Sequence, residues 1–329
     1  AIGYKAFDGY SNLATVTFNS RNAAKVIGDY SFNQCSSLTG IVIPGSVKTI
    51  GDYAFYCTSA IKDVTLNEGL ESIGSYAFAF DRSSGVHISP IYIPSTLKSV
   101  GRYAFSNVYC EYVNISDLAS WCNIDFAHSS SNPTAMGAGL YLNGEKIENL
   151  VIPETVAEVK AYAFCDIDGL KSVVFNDALQ SIGESAFYKC SELKSVVFND
   201  ALQSIGRKAF YDCYDLSLSG IVIPGNVTSI GDEAFYPMYH ILTFAYGAEP
   251  IEIGSNAFPA PFELSWDRPI ESMNLDVNNL KTLTIGNSVT EIPANMFKDA
   301  AKLTDLTLGN SLTAVGDEAF SGCTSLTEV

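Results

Sequence analysis

Apolar residues return along this chain at a fixed interval. Aligned on a recurrent phenylalanine, the repeats fall at Phe7, Phe32, Phe55, Phe78, Phe105, Phe164, Phe187, Phe210, Phe235, Phe258, Phe297 and Phe320, and most neighbours are 23 or 25 residues apart. Eleven of these twelve phenylalanines follow a small residue, alanine except at Ser31; Met296 precedes the other. Ile or Val stands five residues before most of them, as at Ile50, Ile73, Val100, Val159, Ile182, Ile205, Ile230, Ile253, Ile292 and Val315, and glycine usually follows it. Self-similarity at such a period marks a repeat array, in which each copy buries its apolar face only against its neighbours.

Residues 38–55 show what one copy predicts. Leu38, Ile41 and Ile43 read as a strand whose last two apolar residues share a face by period-two alternation. Pro44-Gly45 closes it, since proline cannot donate to a continuing ladder. Val47 and Ile50 carry the returning segment. Gly51 is read as permitting a tight turn, with positive φ open to it, and Ala54-Phe55 as a short helical turn in which the small alanine lets the ring pack closely. Stacking gives one strand per repeat at about 4.8 Å spacing, hence one parallel sheet and a body roughly 60 Å long. Residues 170–183 recur almost unchanged at 193–206, which argues against a unique catalytic group there.

The period breaks twice, at about 111–150 and at about 259–279, between phenylalanines 59 and 39 residues apart. The first break holds a predicted short helix beginning at Ser116 or Asp117, a polar loop, and a predicted hairpin over 140–147 turning on Asn143-Gly144. The second holds Pro259, Pro261, Phe262 and Trp266. Both tryptophans of the chain, Trp121 and Trp266, fall in these stretches. Interruptions of repeat arrays map to loops, often on a binding side, and exposed aromatics are favoured anchors, so the two tryptophans are candidate contact residues. Competing with them is the outward strand position, occupied by Val42, Thr65, Tyr92, Val151, Val174, Val197, Val222, Thr284 and Thr307. An open sheet would line these up as one stripe of β-branched and aromatic side chains. Such a stripe either marks an interaction site or reflects the ordinary preference of Val and Thr for strands.

Composition narrows the function classes. Of 329 residues, 47% are hydrophobic and 17% charged, enough to bury a continuous core, and no run of 18 apolar residues predicts a membrane span. A formal charge of −17 repels a phosphate backbone, which excludes nucleic acid as the expected partner. The chain opens in mid-repeat at Ala1-Ile2-Gly3 and stops as another copy begins at Leu326, so it is read as a segment of a longer protein with targeting signals outside it.

Candidate chemistry is thin. The eight cysteines are Cys35, Cys57, Cys110, Cys122, Cys165, Cys190, Cys213 and Cys323, an even count that invites disulfides. Four of them stand three residues after a repeat Phe, where stacking predicts a ladder of small buried side chains, a role a thiol fills well. The reading is therefore buried thiols, with Cys190–Cys213 as the neighbour pair if a bridge forms. His87, His128 and His240 lie in different repeats without a second metal ligand at suitable spacing, and no Cys-x-x-Cys, His-Glu-x-x-His, Gly-x-Ser-x-Gly or phosphate loop occurs. Asp166-Ile-Asp168-Gly169 resembles the opening of a calcium loop but lacks the later ligands, and reads as a solvated turn. Acids near Phe235 and Phe320 suit the start of a helical turn. No catalytic residue, metal or cofactor is assigned.

Several of these features together resemble the BspA-like branch of leucine-rich repeats, a family of bacterial surface proteins: Ile41-Val-Ile-Pro44, Val47, Ile50-Gly51 and Ala54-Phe55, the cysteines three residues after the repeat Phe, and the interruption running through 117–126, Asn132-Pro133, 140–144 and 150–153. The resemblance covers nearly the whole chain; 259–279 fits least. It implies an α/β repeat fold, a curved right-handed leucine-rich-repeat solenoid over 1–329, with one parallel sheet of short strands and short helical turns or loops opposite. It also implies adhesion or protein recognition at the cell surface. The expected function is thus a non-enzymatic, monomeric recognition or adhesion module, outside a bacterial cell, for a protein or glycoprotein of a host or matrix. The alternatives are a structural spacer presenting another domain, and a carbohydrate-binding or carbohydrate-active role centred on Trp121 or Trp266.

Overall fold

A copy of some two dozen residues cannot enclose a core, so its apolar side chains must meet those of the copies on either side. The computed structural model of the protein shows how they do so. It describes residues 1–18, 24–82, 85–218, 220–237, 241–259, 261–270 and 274–328, with the backbone alone for 217 and 218. His240 lies outside the described residues. These residues gather into two compact units: Ala1–Glu148 with Lys160–Leu170, and Asn149–Val159 with Lys171–Val329. Each is a solenoid of stacked parallel strands with little helix; among the described residues the one α-helix is Leu118–Cys122.

In the first unit the main sheet runs, in spatial order, Gly40–Ile43, Asp63–Leu66, Ile91–Ile93, Tyr112–Ile115, Gly139–Leu142 and Glu145–Lys146. All pairings are parallel except the last, an antiparallel hairpin that turns on Asn143 and Gly144, both with positive φ (51° and 89°). In the second unit Asn149–Val151, Ser172–Val174 and Ser195–Val197 form one sheet. Ile221–Ile223, Ile241–Phe244, Glu263–Trp266, Thr282–Ile285 and Asp305–Thr307 form another. The inward residues are those the alternation selects: Ile41 and Ile43 are buried while Val42 between them is exposed.

Two expectations change. Most copies contribute two strands, not one, because the returning segment pairs as well. Val26–Ile27, Thr49–Ile50, Ser72–Ile73, Ser99–Val100 and Asp125–Phe126 form a second parallel ladder in the first unit, and Glu158–Val159 through Glu252–Ile253 form its counterpart in the second. The Ala-Phe segments, in turn, are not helical. The N–H groups of Tyr53, Phe55 and Cys57 reach across to the carbonyls of Ser75, Ala77 and Ala79 in the next copy, at 2.8, 2.8 and 3.0 Å, while Tyr56 N turns back to Tyr53 O at 3.2 Å. Tyr53 and Cys57 have φ of 56° and 52°, which a right-handed helical turn excludes. The backbone alternates between bonding its own turn and bonding its neighbour, so all three sides of a copy are stitched to the next.

The left-handed residue is therefore Tyr53, two positions after the glycine thought to supply positive φ. Gly51 is required for a different reason: a Cβ there would lie 2.2 Å from Asp29 Oδ1 and 2.6 Å from Asp29 N of the preceding copy. The close approach of consecutive turns leaves no room for a methyl group.

Phenylalanine rings fill the space between the three ladders. Phe32, Phe55, Phe78 and Phe105 stack at 5.2, 5.1 and 5.5 Å, and Phe187, Phe210, Phe235 and Phe258 at 5.2, 5.1 and 4.9 Å. Each buried ring contributes about 2–3 kcal/mol by leaving water, and each stacked contact about 0.5–1.5 kcal/mol more. The thiol positions follow the same logic. Cys35, Cys213 and Cys323 each donate S–H to the Phe carbonyl of the previous copy (Phe7, Phe187 and Phe297; 3.2, 3.1 and 3.3 Å), and Thr58, in the same place, donates its hydroxyl to Phe32 O at 3.2 Å. All eight cysteines are held as thiols.

Candidate functional site

Outward strand residues are positioned by the ladders beneath them, since every second side chain must leave the sheet on its open face. Strand pairing joins them into three runs in register. In the first unit Val42, Thr65, Tyr92, Asn114 and Tyr141 are direct strand partners in sequence. In the second unit Val151, Val174 and Val197 align, and Val222, Thr243, Ser265, Thr284 and Thr307 align separately. Exposure separates most of these positions from the core, Asn114 being buried: Tyr92 is 52% exposed, Val151, Val174 and Val197 are 63%, 40% and 55%, and Val222 is 59%. Val42, Thr65 and Thr307 are exposed as well, and Thr284 is half-buried.

The first-unit run ends in a cluster that the sequence reading missed. Tyr112 lies on the same face as Asn114, two residues away, and its ring meets that of Tyr141 at 4.4 Å. A hydrogen bond with Tyr92 holds the Tyr112 phenol above its ordinary value. Asn114 Oδ1 accepts Gly144 N at 2.8 Å and so ties the hairpin turn to the strand beside it. Tyr112 and Tyr141 belong to the interruption, outside the Ala-Phe register, so the repeat alignment passed over them. The alternation of 112–115 and 139–142 was the signal available.

Both tryptophans are corrected. Trp121 and Trp266 are each 1% exposed and cannot serve as exposed anchors. Trp121 sits on the short helix, whose N-cap Asp117 accepts Ser120 N at 2.6 Å, and its indole N–H donates to Ala163 O at 2.8 Å. Trp266 takes an inward strand position in register with Phe244 and Ile285, and its N–H donates to Arg268 O at 2.8 Å. Each interruption still has to supply a core layer, and a large ring with one satisfied donor does so.

A second aromatic feature lies on the turn side of the first unit. Tyr4, Tyr30, Tyr53, Tyr76, Tyr103, His128 and Tyr162 follow one another with centroid separations of 6.0, 4.8, 4.8, 5.1, 4.3 and 6.2 Å. Five of these tyrosines occupy the left-handed position two residues before the repeat Phe, with φ between 56° and 62°. That conformation is costly for a bulky residue. The second unit places Ser185, Lys208, Glu233, Asn256, Asn295 and Glu318 at the matching positions, so the fold does not require tyrosine there. Their regular spacing was legible in the sequence; their backbone conformation was not.

Beside Tyr103 lies a cavity of about 620 Å³. The cause is the interruption. Where a repeat would set Ala-Phe, the segment through Ser129–Ser131 runs instead, receiving Phe105 N at Ser130 O (3.1 Å), and buried Asn132 donates to Tyr162 O and Ala163 O while accepting from Thr134. Arg82, Tyr109 and Met136 also line the cavity.

The remaining candidates make packing and pairing contacts. His87 packs on Tyr109 at 5.4 Å, and the His128 ring nitrogen accepts Ser130 N at 3.1 Å. Asp168 pairs with Lys146 at 2.9 Å, and among the described residues no group of three or more His, Cys, Asp or Glu side chains is arranged to hold a metal ion. Glu71 bridges Lys48 and Lys98 at 3.0 and 2.9 Å, and those two cations hold its carboxyl down at about 2. No helix among the described residues is long and apolar enough to cross a membrane.

The family model for the BspA type leucine rich repeat region matches residues 1–132, 134–263 and 270–329, with six copies. Among solved structures the chain is similar to a leucine-rich repeat protein from Bacteroides ovatus, with a TM-score of 0.55 and 22% identity over 92% of this chain and 69% of that one. It is also similar to the pneumococcal vaccine antigen PcpA, with a TM-score of 0.47 and 21% identity over 95% of this chain and 64% of that one. A leucine-rich repeat protein from Eubacterium ventriosum gives a TM-score of 0.41 and 19% identity over 93% of this chain and 82% of that one. At these identities the likeness to the Bacteroides protein is one of fold. Among curated proteins none matches.

Proposed function

Because the chain belongs to the BspA type leucine-rich-repeat family, we propose that it is a non-enzymatic recognition module that binds a protein or glycoprotein through the open face of its main sheets, as an adhesion element displayed outside a bacterial cell. The observation that carries this reading is the set of outward runs, above all Tyr92 with Tyr112 and Tyr141, and Val151 with Val174 and Val197. Backbone groups of these strands are spent on the ladders, so a partner meets side chains rather than an added strand. Tyrosines suit such contacts, offering a broad apolar ring with a polar tip at small cost in side-chain freedom. The surface placement comes from the family and not from any span within the chain.

The test is binding to immobilised extracellular-matrix proteins, read as a saturable curve. Tyr92→Ser, and separately the triple change of Val151, Val174 and Val197 to Ser, alter exposed side chains and leave the core intact. Loss of an anchoring tyrosine is expected to cost about 2 kcal/mol, roughly thirtyfold in affinity. A saturable curve that neither variant moves would overturn the sheet-face assignment.

A further inference from the structure

We infer that the cavity beside Tyr103 is a second binding site, distinct from the sheet face, that takes a carboxylated sugar. The cavity, of about 620 Å³, is of a size that holds a mono- or disaccharide. Its walls combine what such a ligand needs. Tyr109 offers a ring for the C–H face of a pyranose, and Tyr103, flanked by Tyr76 and His128, lines the cavity beside it. The rings change tilt at this point: Tyr30, Tyr53 and Tyr76 stack within 8° of parallel, whereas Tyr103 tilts 36° from Tyr76 and 44° from His128. Ser106 and Ser130 also line the cavity with hydroxyls that can donate or accept.

Charge selects the class of sugar. The chain carries −17 overall, yet among the described residues no carboxylate lines this cavity, and Arg82 does. Its neighbour in sequence, Asp81, is turned toward Tyr56 and Cys57, whose thiol hydrogen-bonds it. Arg82 itself is exposed and makes no ion pair with any described residue, so its planar fork is available for a bidentate carboxylate. A neutral sugar would leave that guanidinium to water; an acidic sugar would engage it while its ring packs on Tyr109.

The experiment uses the 329-residue chain and titrates it with 3′-sialyllactose, a hyaluronan tetrasaccharide and lactose, read by saturation-transfer NMR. The expected result is saturable binding of at least one acidic probe, about tenfold or more tighter than lactose. Arg82→Gln should remove that difference, and Tyr109→Ala should weaken acidic and neutral probes alike. Binding confined to the hyaluronan tetrasaccharide with the same Arg82 dependence supports the proposal and identifies a uronate as the ligand. Tyr92→Ser, on the sheet face, should leave these titrations unchanged, which separates this site from the protein-binding face. No saturable binding of either acidic probe, equal binding of lactose, or a preference that survives Arg82→Gln overturns the assignment.

Discussion

Replacing Gly74 by alanine tests the packing that fixes the spacing of the whole array. A Cβ at Gly74 would lie 2.5 Å from Gly51 C and 2.6 Å from both Asp52 N and Asp52 Oδ1. Carbon contacts are comfortable only from about 3.5 Å, so the methyl overlaps the preceding copy by about 1 Å, and the obstruction is mostly backbone that cannot rotate away. Relief must come from parting the two copies. The bonds that hold them there are Gly74 N to Ile50 O and Tyr53 N to Ser75 O, both 2.8 Å, and Ser75 N to Asp52 Oδ1 at 2.6 Å. Overpacking costs about 1–3 kcal/mol, and each of the three stretched bonds adds about 1 kcal/mol, so the expected loss is about 4–6 kcal/mol.

The assay is urea unfolding followed by tryptophan fluorescence in a Trp266→Phe background, which leaves Trp121 of the first unit as sole reporter. Gly3→Ala is the control, because nothing lies within 4 Å of its Cβ; it should be neutral or stabilise by up to about 1 kcal/mol. Gly74→Asn discriminates the two explanations for the glycine. If positive φ were the need, asparagine would be tolerated better than alanine; if close approach is, it is no better. A Gly74→Ala variant that unfolds within about 1 kcal/mol of its parent, or an asparagine that rescues it, refutes the close-approach argument.

Cys122 is fully buried, and burial pushes its thiol from 9.0 up to about 12. A folded pKa above the unfolded one gives stability that is complete below about pH 9 and is lost as pH rises toward 12, by about 1.4 kcal/mol per unit; urea midpoints across that range should fall less steeply in Cys122→Ala, and equal slopes would contradict the assignment. At Cys213, whose S–H meets Phe187 O, threonine should be tolerated as Thr58 is in its own copy, while alanine removes the donor and should cost about 1–3 kcal/mol. Thermal melts that rank alanine above threonine would sink the proposed equivalence of the two positions.

The repeat itself was legible because burial imposes a side-chain type. Ile41, Ile43, Val47, Ile50, Ala54 and Phe55 are all 2% exposed or less, and each was an inward position of the pattern. The second ladder was not legible, since Thr49–Ile50 is too short to show any alternation. The tryptophans misled for a related reason. Rare aromatics in a break of the period read as exposed anchors, whereas the layers continue through the break and Trp121 and Trp266 fill them.

What the repeat constrains weakly is where function has freedom to settle. Two residues before the Phe, the backbone is left-handed in both units, yet the side chain is tyrosine at 30, 53, 76, 103 and 162 and Ser, Lys, Glu or Asn in the second unit. The fold dictates a conformation there and is indifferent to the side chain. Strain at a bulky residue persists only where surrounding structure over-determines it. Here three ladders of hydrogen bonds do so, and the first unit uses that rigidity to hold a row of rings that stacking alone would not keep at a left-handed φ. The outward strand position is free in the same sense, bounded by paired backbone on both sides and open above. Tyrosines gather at both positions of the first unit, Tyr92 and Tyr141 on the sheet face and Tyr103 at the cavity. The two proposed sites thus share one origin: side chains at positions that the stack holds rigid but does not specify.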